Sequence, residues 1–233
     1  ALENRLTFDI SIYEMSTTDL IFNVPVPPAT GFSFFKENVG EVQNKGVEIN
    51  IGGTPIRTSN FSWNTNVFFA KNENTLVELI EDLESITYNT TNEGEASIRA
   101  TVGGGLGDIY GTVWDTDDSG TNIVNANGLP IPSSSLEILG NANPDWLGGW
   151  SNSFSFGDLS FSFLIDARIG GQIYSQTSAG LDSSGVSDRS LLYRESGVTL
   201  NGINTDTNSA NTVPITSQEY WEAFSSIAEN YIY

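Results

Sequence analysis

Apolar and polar residues alternate along five stretches of this chain, each roughly as long as a tilted strand that crosses a bilayer, about 9 to 11 residues. Alternation with a period of two puts one kind of side chain on each face of an extended strand. In the first stretch Leu6, Phe8, Ile10 and Ile12 share one face, and Thr7, Asp9, Ser11 and Tyr13 the other. In the second, Val47, Ile49 and Ile51 alternate with Glu48, Asn50 and Gly52; in the third, Phe61, Trp63, Val67 and Phe69 alternate with Ser62, Asn64 and Asn66. The fourth sets Trp146, Trp150, Phe154 and Phe156 against Ser151, Ser153 and Ser155. The fifth sets Leu159, Phe161, Phe163, Ile165 and Ile169 against Ser160, Ser162, Asp166 and Arg168. The pattern predicts an all-β chain with strands near residues 5–15, 44–54, 61–71, 146–156 and 159–174, neighbours antiparallel.

The connections differ in length. Gly157-Asp158 is a two-residue link of the kind tight hairpins use, and residues 55–60 join the second stretch to the third. Residues 19–43, with Pro25, Pro27 and Pro28, and residues 76–143 form long links, and a third long stretch starts near Gln176. Short turns on one side and long loops on the other is the asymmetry of outer-membrane barrels. Aromatics agree: Phe61, Trp63, Phe154, Phe156 and Phe161 flank the short turns, and Trp146 and Tyr174 lie near the far ends of their strands. Alternation does not separate lipid from core, so a sandwich with its aromatics between two sheets is the competing architecture. Five strands do not close a barrel, for which about eight is the minimum, so other strands are expected to complete this one.

Composition narrows the chemistry. Hydrophobic residues are 38% and charged residues 16%, which leaves much Ser, Thr, Asn and Gly for strands with one polar face. Nine Lys and Arg against 29 Asp and Glu give a net charge of −20, which repels nucleic acid. Without Cys or His, the chain has no disulfide, no thiolate or imidazole ligand and no Ser-His-Asp or Cys-His nucleophile. No apolar run approaches about 18 residues, so no spanning helix is expected, and no signal peptide is legible at Ala1-Leu2-Glu3-Asn4-Arg5.

Asn38-Val39-Gly40-Glu41-Val42-Gln43-Asn44-Lys45-Gly46-Val47-Glu48 resembles a stretch typical of SusC/RagA-type TonB-dependent outer-membrane transporters, where Asn-x-Gly-x-x-x-Asn-Lys-Gly-x-Glu leads from an external loop into a descending strand. Gly53-Thr54-Pro55-Ile56 and Phe61-Ser62-Trp63-Asn64 look like that family's periplasmic turn and next ascending strand, which leaves the membrane at Phe69-Ala70-Lys71-Asn72. The segment from Gly140-Asn141-Ala142-Asn143-Pro144 through Gly148-Gly149 is similar to the entry into a further strand, and Ala167-Arg168-Ile169-Gly170-Gly171-Gln172-Ile173-Tyr174 to the exit from the next. The resemblance implies a transmembrane β-barrel of about 22 strands, of which this chain supplies about five with long extracellular loops. On this reading residues 1–233 form part of one barrel domain in the outer membrane of a Gram-negative bacterium of the Bacteroidetes type. It further implies the remainder of the barrel and a plug, a SusD-like surface lipoprotein, the TonB complex and outer-membrane lipid as partners, with glycans, peptides or similar nutrients as cargo. No cofactor is implied. The plug, the TonB-interacting segment and the first strands are expected before Ala1, and the last strands after Tyr233.

Few residues suggest other chemistry. Asp115-Thr116-Asp117-Asp118-Ser119-Gly120 opens like a calcium loop, with Asp115, Asp117 and Asp118 as candidate ligands, but the twelfth position is Ala126 instead of a bidentate carboxylate. A solvated acidic turn is the simpler reading. Gly103-Gly104-Gly105-Leu106-Gly107 lacks dinucleotide spacing and reads as a tight bend or a mobile loop. The pairs Glu93 with Glu95, and Glu78 with Glu81 and Asp82, have no spacing that makes them converge, so the chain is read as non-enzymatic. Asp166 and Arg168 suit a salt bridge within the lumen. Trp114, Tyr110, Tyr193 and Trp221 are loop aromatics suited to stacking on sugars, to meeting a capping partner or to packing the loops themselves. A secreted acidic β-sandwich that binds polysaccharide, and a β-rich hydrolase domain, are the alternatives to transport.

Overall fold

The computed structural model describes residues 5–38, 40–80, 83–91 and 95–233. Val39, Glu81, Asp82 and Glu93, raised above, lie outside the described residues. In chain order the strands are β1 (Leu6–Thr17), β2 (Ile21–Pro25), β3 (Phe34–Asn38), β4 (Gly40–Arg57), β5 (Phe61–Leu79), β6 (Ser85–Thr90), β7 (Ala96–Thr101) and β8 (Asp108–Gly111). There follow β9 (Ile123–Val124), β10 (Glu137–Asn141), β11 (Pro144–Phe156), β12 (Leu159–Gly170), β13 (Ile203–Asn204) and β14 (Ser209–Ala210), with helices α1 (Gln176–Ser183) and α2 (Ser217–Phe224).

The chain divides into two compact units, Ala1–Ile86 with Ala100–Leu106 and Asn143–Gly171, and Thr87–Arg99 with Gly107–Ala142 and Gln172–Tyr233. The first is built on a five-stranded antiparallel sheet in the order β1-β4-β5-β11-β12. All five predicted strands are present. Where one turn joins two strands it also sets their register: Thr58 Oγ1 accepts from the Phe61 amide at 2.9 Å and closes the β4–β5 turn, and Gly157, at φ 56, supplies the left-handed residue of the β11–β12 turn.

Several limits differ from expectation. β4 and β5 run past residues 44 and 71 to Gly40 and Leu79, because the polar residues there stay paired, Asn44 with Asn74 and Gln43 with Thr75. β12 stops at Gly170 instead of residue 174, since Gly170 and Gly171 adopt φ of 73 and 79 and break the strand. The long link at residues 19–43 contains the β2–β3 hairpin. The long link at residues 76–143 contains a sheet of its own, formed by β10, β8, β7 and β6. The stretch beyond Gln176 carries α1 and α2 as well as the short strands β13 and β14. α2 is started by a capping box in which Thr216 and Glu219 satisfy each other's backbone amides.

The first unit's core lies at the loop end of the β4–β5 pair, where Val42, Leu76 and Ala100 are buried against Leu20, Leu79 and Leu106. Gly103-Gly104-Gly105, read from sequence as a bend or mobile loop, is an ordered edge cover. The Leu76 amide donates to Gly104 O at 3.0 Å, the Gly103 amide to Leu76 O at 2.8 Å, and the Leu106 amide to Asn74 Oδ1 at 2.7 Å. β5 therefore does not leave its backbone groups unpaired where β11 no longer reaches it.

Candidate functional site

The register builds two faces on the five-stranded sheet. On one face the side chains form rows running across the strands. From the short turns upward these are Phe61, Phe156 and Leu159; Ile56, Trp63, Phe154 and Phe161; Leu6, Gly53, Thr65, Asn152 and Phe163; Phe8, Ile51, Val67, Trp150 and Ile165; Ile10, Ile49, Phe69, Gly148 and Ala167; and Ile12, Val47 and Lys71, with Trp146 and Ile169 at the same level. Above them stand Glu14, Lys45 and Glu73. Much of this apolar face is open: Ile12 is 83% exposed, Phe8 64% and Phe161 61%. A sandwich buries such a face under a second sheet, so these exposures oppose that architecture.

Two uncharged polar residues, Thr65 and Asn152, interrupt the apolar rows, and both accept hydrogen bonds. Trp150 Nε1 donates to Thr65 Oγ1 at 2.9 Å, and Trp63 Nε1 donates to Asn152 Oδ1 at 2.9 Å. Thr65 and Asn152 face each other directly across β5 and β11, and each accepts from the partner strand's tryptophan two positions away. Trp63 stacks on Phe154 at 5.8 Å, and Trp150 meets Phe163 edge-on at 5.8 Å. The sequence pattern did not reveal this pairing. Its only signal was polar residues in otherwise apolar rows, each beside a tryptophan.

The opposite face is polar. The Asn44-Lys45-Gly46 motif takes its meaning here: Tyr13 lies across Gly46 and donates to Asn72 Oδ1 at 3.0 Å, while Asn72 Nδ2 donates to Asn44 Oδ1 at 3.1 Å. A Cβ at Gly46 would also lie 2.7 Å from the Lys71 carbonyl oxygen. Lys45 projects from the apolar face and pairs with Glu14 at 3.5 Å. In the same way Phe68, an apolar ring on the polar face, covers Gly149. Asp166 and Arg168 are exposed on this face.

In the second unit, Gly140 and Asn141 meet Gln172. The Asn141 amide donates to Gln172 Oε1 at 2.9 Å, the Gln172 amide to Asn141 O at 2.8 Å, and Asn141 Nδ2 to Asp108 Oδ1 at 2.7 Å. A Cβ at Gly140 would sit 2.7 Å from Gln172 Oε1. Two motifs that the sequence presents separately thus form one lock. Beside it is a cavity of about 470 Å³ whose lining, including Asn89, Thr90, Gln172 and Gln176, carries amides and hydroxyls but no charge.

The aromatic candidates pack within the second unit. Trp114 donates its indole N–H to Ile123 O at 2.7 Å, and its amide binds Glu229 Oε1 at 3.0 Å. Arg99 stands 5.4 Å over the Tyr110 ring. Trp221 is 5% exposed, with Arg189 5.5 Å over its ring, and Tyr193 is 37% exposed and meets Tyr220 edge-on at 5.2 Å. Arg189 also pairs with the buried Asp182, which accepts from Ser187 Oγ and from Tyr231 Oη, the latter at 2.9 Å. Burial pushes the Asp182 carboxyl up, but the hydrogen bonds from Arg189, Ser187 and Tyr231 outweigh it and hold the group below the usual aspartate value. Burial and the bond to Asp182 raise the Tyr231 phenol.

Asp117 is a half-buried residue at the start of a turn. Its Oδ1 accepts from Ser119 Oγ at 2.6 Å and from the Ser119 and Thr121 amides at 2.9 Å, which lowers its carboxyl. Asp115 accepts from the Thr116 amide at 3.0 Å. Among the described residues no group of three acidic side chains, Asp115, Asp117 and Asp118 included, converges as a metal site.

Residues 2–205 match the family described as TonB dependent receptor-like, beta-barrel. The chain is 30% identical over 227 residues to TonB-dependent receptor P39 of Formosa agariphila, covering 74% of this chain and 21% of that protein. It is 26% identical over 186 residues to TonB-dependent receptor SusC of Bacteroides thetaiotaomicron, covering 74% and 18%. The chain thus spans about a fifth of the length of these relatives. Its fold matches the RagAB peptide importer in the closed-closed state with a TM-score of 0.69 at 20% identity, over 100% of this chain and 26% of that one.

Proposed function

This chain belongs to the TonB dependent receptor-like β-barrel family, and from that premise we propose that its five-stranded sheet is part of the wall of an outer-membrane nutrient importer. The carrying observation is the stack of six rows on the apolar face. Rows two residues apart at about 3.4 Å per residue, on strands tilted about 40°, stand about 26 Å high, which is the height of a barrel's apolar band. Aromatic residues crowd the lower rows, and the first charge appears in the top one. The opposite face, with Asn50, Asn66, Ser151 and Ser162, suits a hydrated lumen.

In this reading residues 1–233 contribute to one barrel domain whose other strands and plug complete it. Residues 76–143 and the stretch beyond Gln176 face outward, where they meet a SusD-like lipoprotein or the cargo. Energy reaches the complete protein through TonB, the cargo is a glycan, peptide or similar nutrient, and no residue of this chain is assigned a catalytic role. Among the four aromatic candidates, Tyr193 has the most open ring and is the one we assign to ligand contact. Intact cells carrying the complete receptor test the topology. Cysteines introduced at Ser134 and at Asp158 should react with an impermeant maleimide at Ser134 only; labelling at Asp158 alone reverses the orientation and overturns the assignment.

A further inference from the structure

We propose that Lys71 holds the phosphate of an anionic lipid headgroup at the loop-side boundary of the apolar face. The inference rests on reading the sheet as a membrane wall. Through six rows no charged residue appears on that face until Lys71, which Val47 faces across the β4–β5 pair. Leu147 pairs with Ala70, so Trp146 stands beside Lys71, and the Trp146 and Phe69 rings are 5.8 Å apart. The lysine stem can lie on this apolar ground while its ammonium reaches the headgroup level.

Charge makes the occupant an anion. Lys45, in the next row, is already paired with Glu14 at 3.5 Å. Lys71 is exposed and makes no ion pair among the described residues, in a chain with 29 carboxylates and 9 cationic side chains. Glu73, also in the next row, faces Lys45 across the strand pair. The lower boundary, at Phe61, Phe156 and Leu159, carries no charge in its row. The two boundaries therefore differ: one is aromatic and neutral, the other offers a free ammonium beside a tryptophan. A compact ammonium suits phosphate as a point charge, and the adjoining apolar rows place the acyl chains of the same lipid directly below it.

Native mass spectrometry of the complete receptor, titrated with bis-phosphorylated lipid A in neutral detergent, reads the site. Lys71→Gln should weaken lipid A binding by about fivefold, the effect of one basic residue at an anionic surface. Lys71→Arg should retain it, and Lys45→Gln should change it less, because that charge is shared with Glu14. Inorganic phosphate should compete poorly, since the acyl chains contribute to binding. Equal lipid A affinity of wild type and Lys71→Gln, or no binding by wild type, overturns the proposal. Insertion of the same proteins into neutral phosphatidylcholine vesicles, scored by flotation, is independent of Lys71. Failure of wild type there sinks the membrane-wall reading instead.

Discussion

Trp150 and Thr65, in adjacent rows of the apolar face, are joined across β5 and β11 by an indole hydrogen bond of 2.9 Å. With the matching bond from Trp63 to Asn152, it forms a diagonal clamp between two strands that residues 80–143 separate in sequence. No tight turn sets the register of this pair, and a slip of one residue would exchange its apolar and polar faces. The clamp opposes that slip, because a shifted register takes these acceptors, Thr65 Oγ1 and Asn152 Oδ1, away from two indole N–H groups in an apolar setting.

A double-mutant cycle measures the clamp. Trp150→Phe and Thr65→Val in the complete receptor should show a coupling of about 0.5–1.5 kcal/mol, the net worth of one intramolecular hydrogen bond. Unfolding in lipid vesicles supplies the values, and additive effects would show that the bond does not contribute.

Depth should govern the cost of charge on β12. Phe161 and Phe163 touch each other and both touch Phe154, while Phe163 also meets Trp150 edge-on, so Phe161→Ala and Phe163→Ala supply the packing baseline against which each charge is read. Phe163 lies a row further from the turn. Phe163→Arg should destabilise the barrel by about 2–4 kcal/mol and Phe161→Arg by less, while Ser162→Arg on the polar face is tolerated. Equal penalties at the two phenylalanines, read from the same vesicle unfolding, would count against lipid contact.

Gly46 should not accept a side chain. Gly46→Ala presses on the Tyr13 ring and on the Lys71 carbonyl, and an overpacking cost of about 1–3 kcal/mol is expected. Adding Tyr13→Ala should relieve only part of it, since the backbone oxygen stays in place. Full rescue in the double variant would show that the ring alone excludes a Cβ.

Acid should loosen the second unit through Asp182. Its folded carboxyl titrates below the unfolded value of about 3.9, so its contribution is fully present above that pH and is lost as pH falls through the folded value. Asp182→Asn should cost about 1–3 kcal/mol at neutral pH and flatten the dependence below about pH 4. Hydrogen exchange at residues 176–191 across pH 3 to 7 checks both; an unchanged acid profile in the variant would remove Asp182 from the explanation.

Strand identity and facing were legible in the sequence because alternation is local: a residue and its second neighbour share a face whatever lies across from them. That suffices for the five strands of the sheet, for Leu6 to Ile12 on one side and Asp9 to Tyr13 on the other, and for the two short turns. The motifs at Asn44-Lys45-Gly46 and Gly140-Asn141 marked places that matter without saying why. Only the tertiary structure put Tyr13 over Gly46 and Gln172 against Gly140, set Thr65 opposite Asn152, and built the sheet of β6, β7, β8 and β10 and the helices beyond Gln176. Each of those outcomes depends on partners remote in sequence. Their hydrogen bonds and close contacts are decided by which strands meet and in what register, and a period of two along one strand carries no record of that.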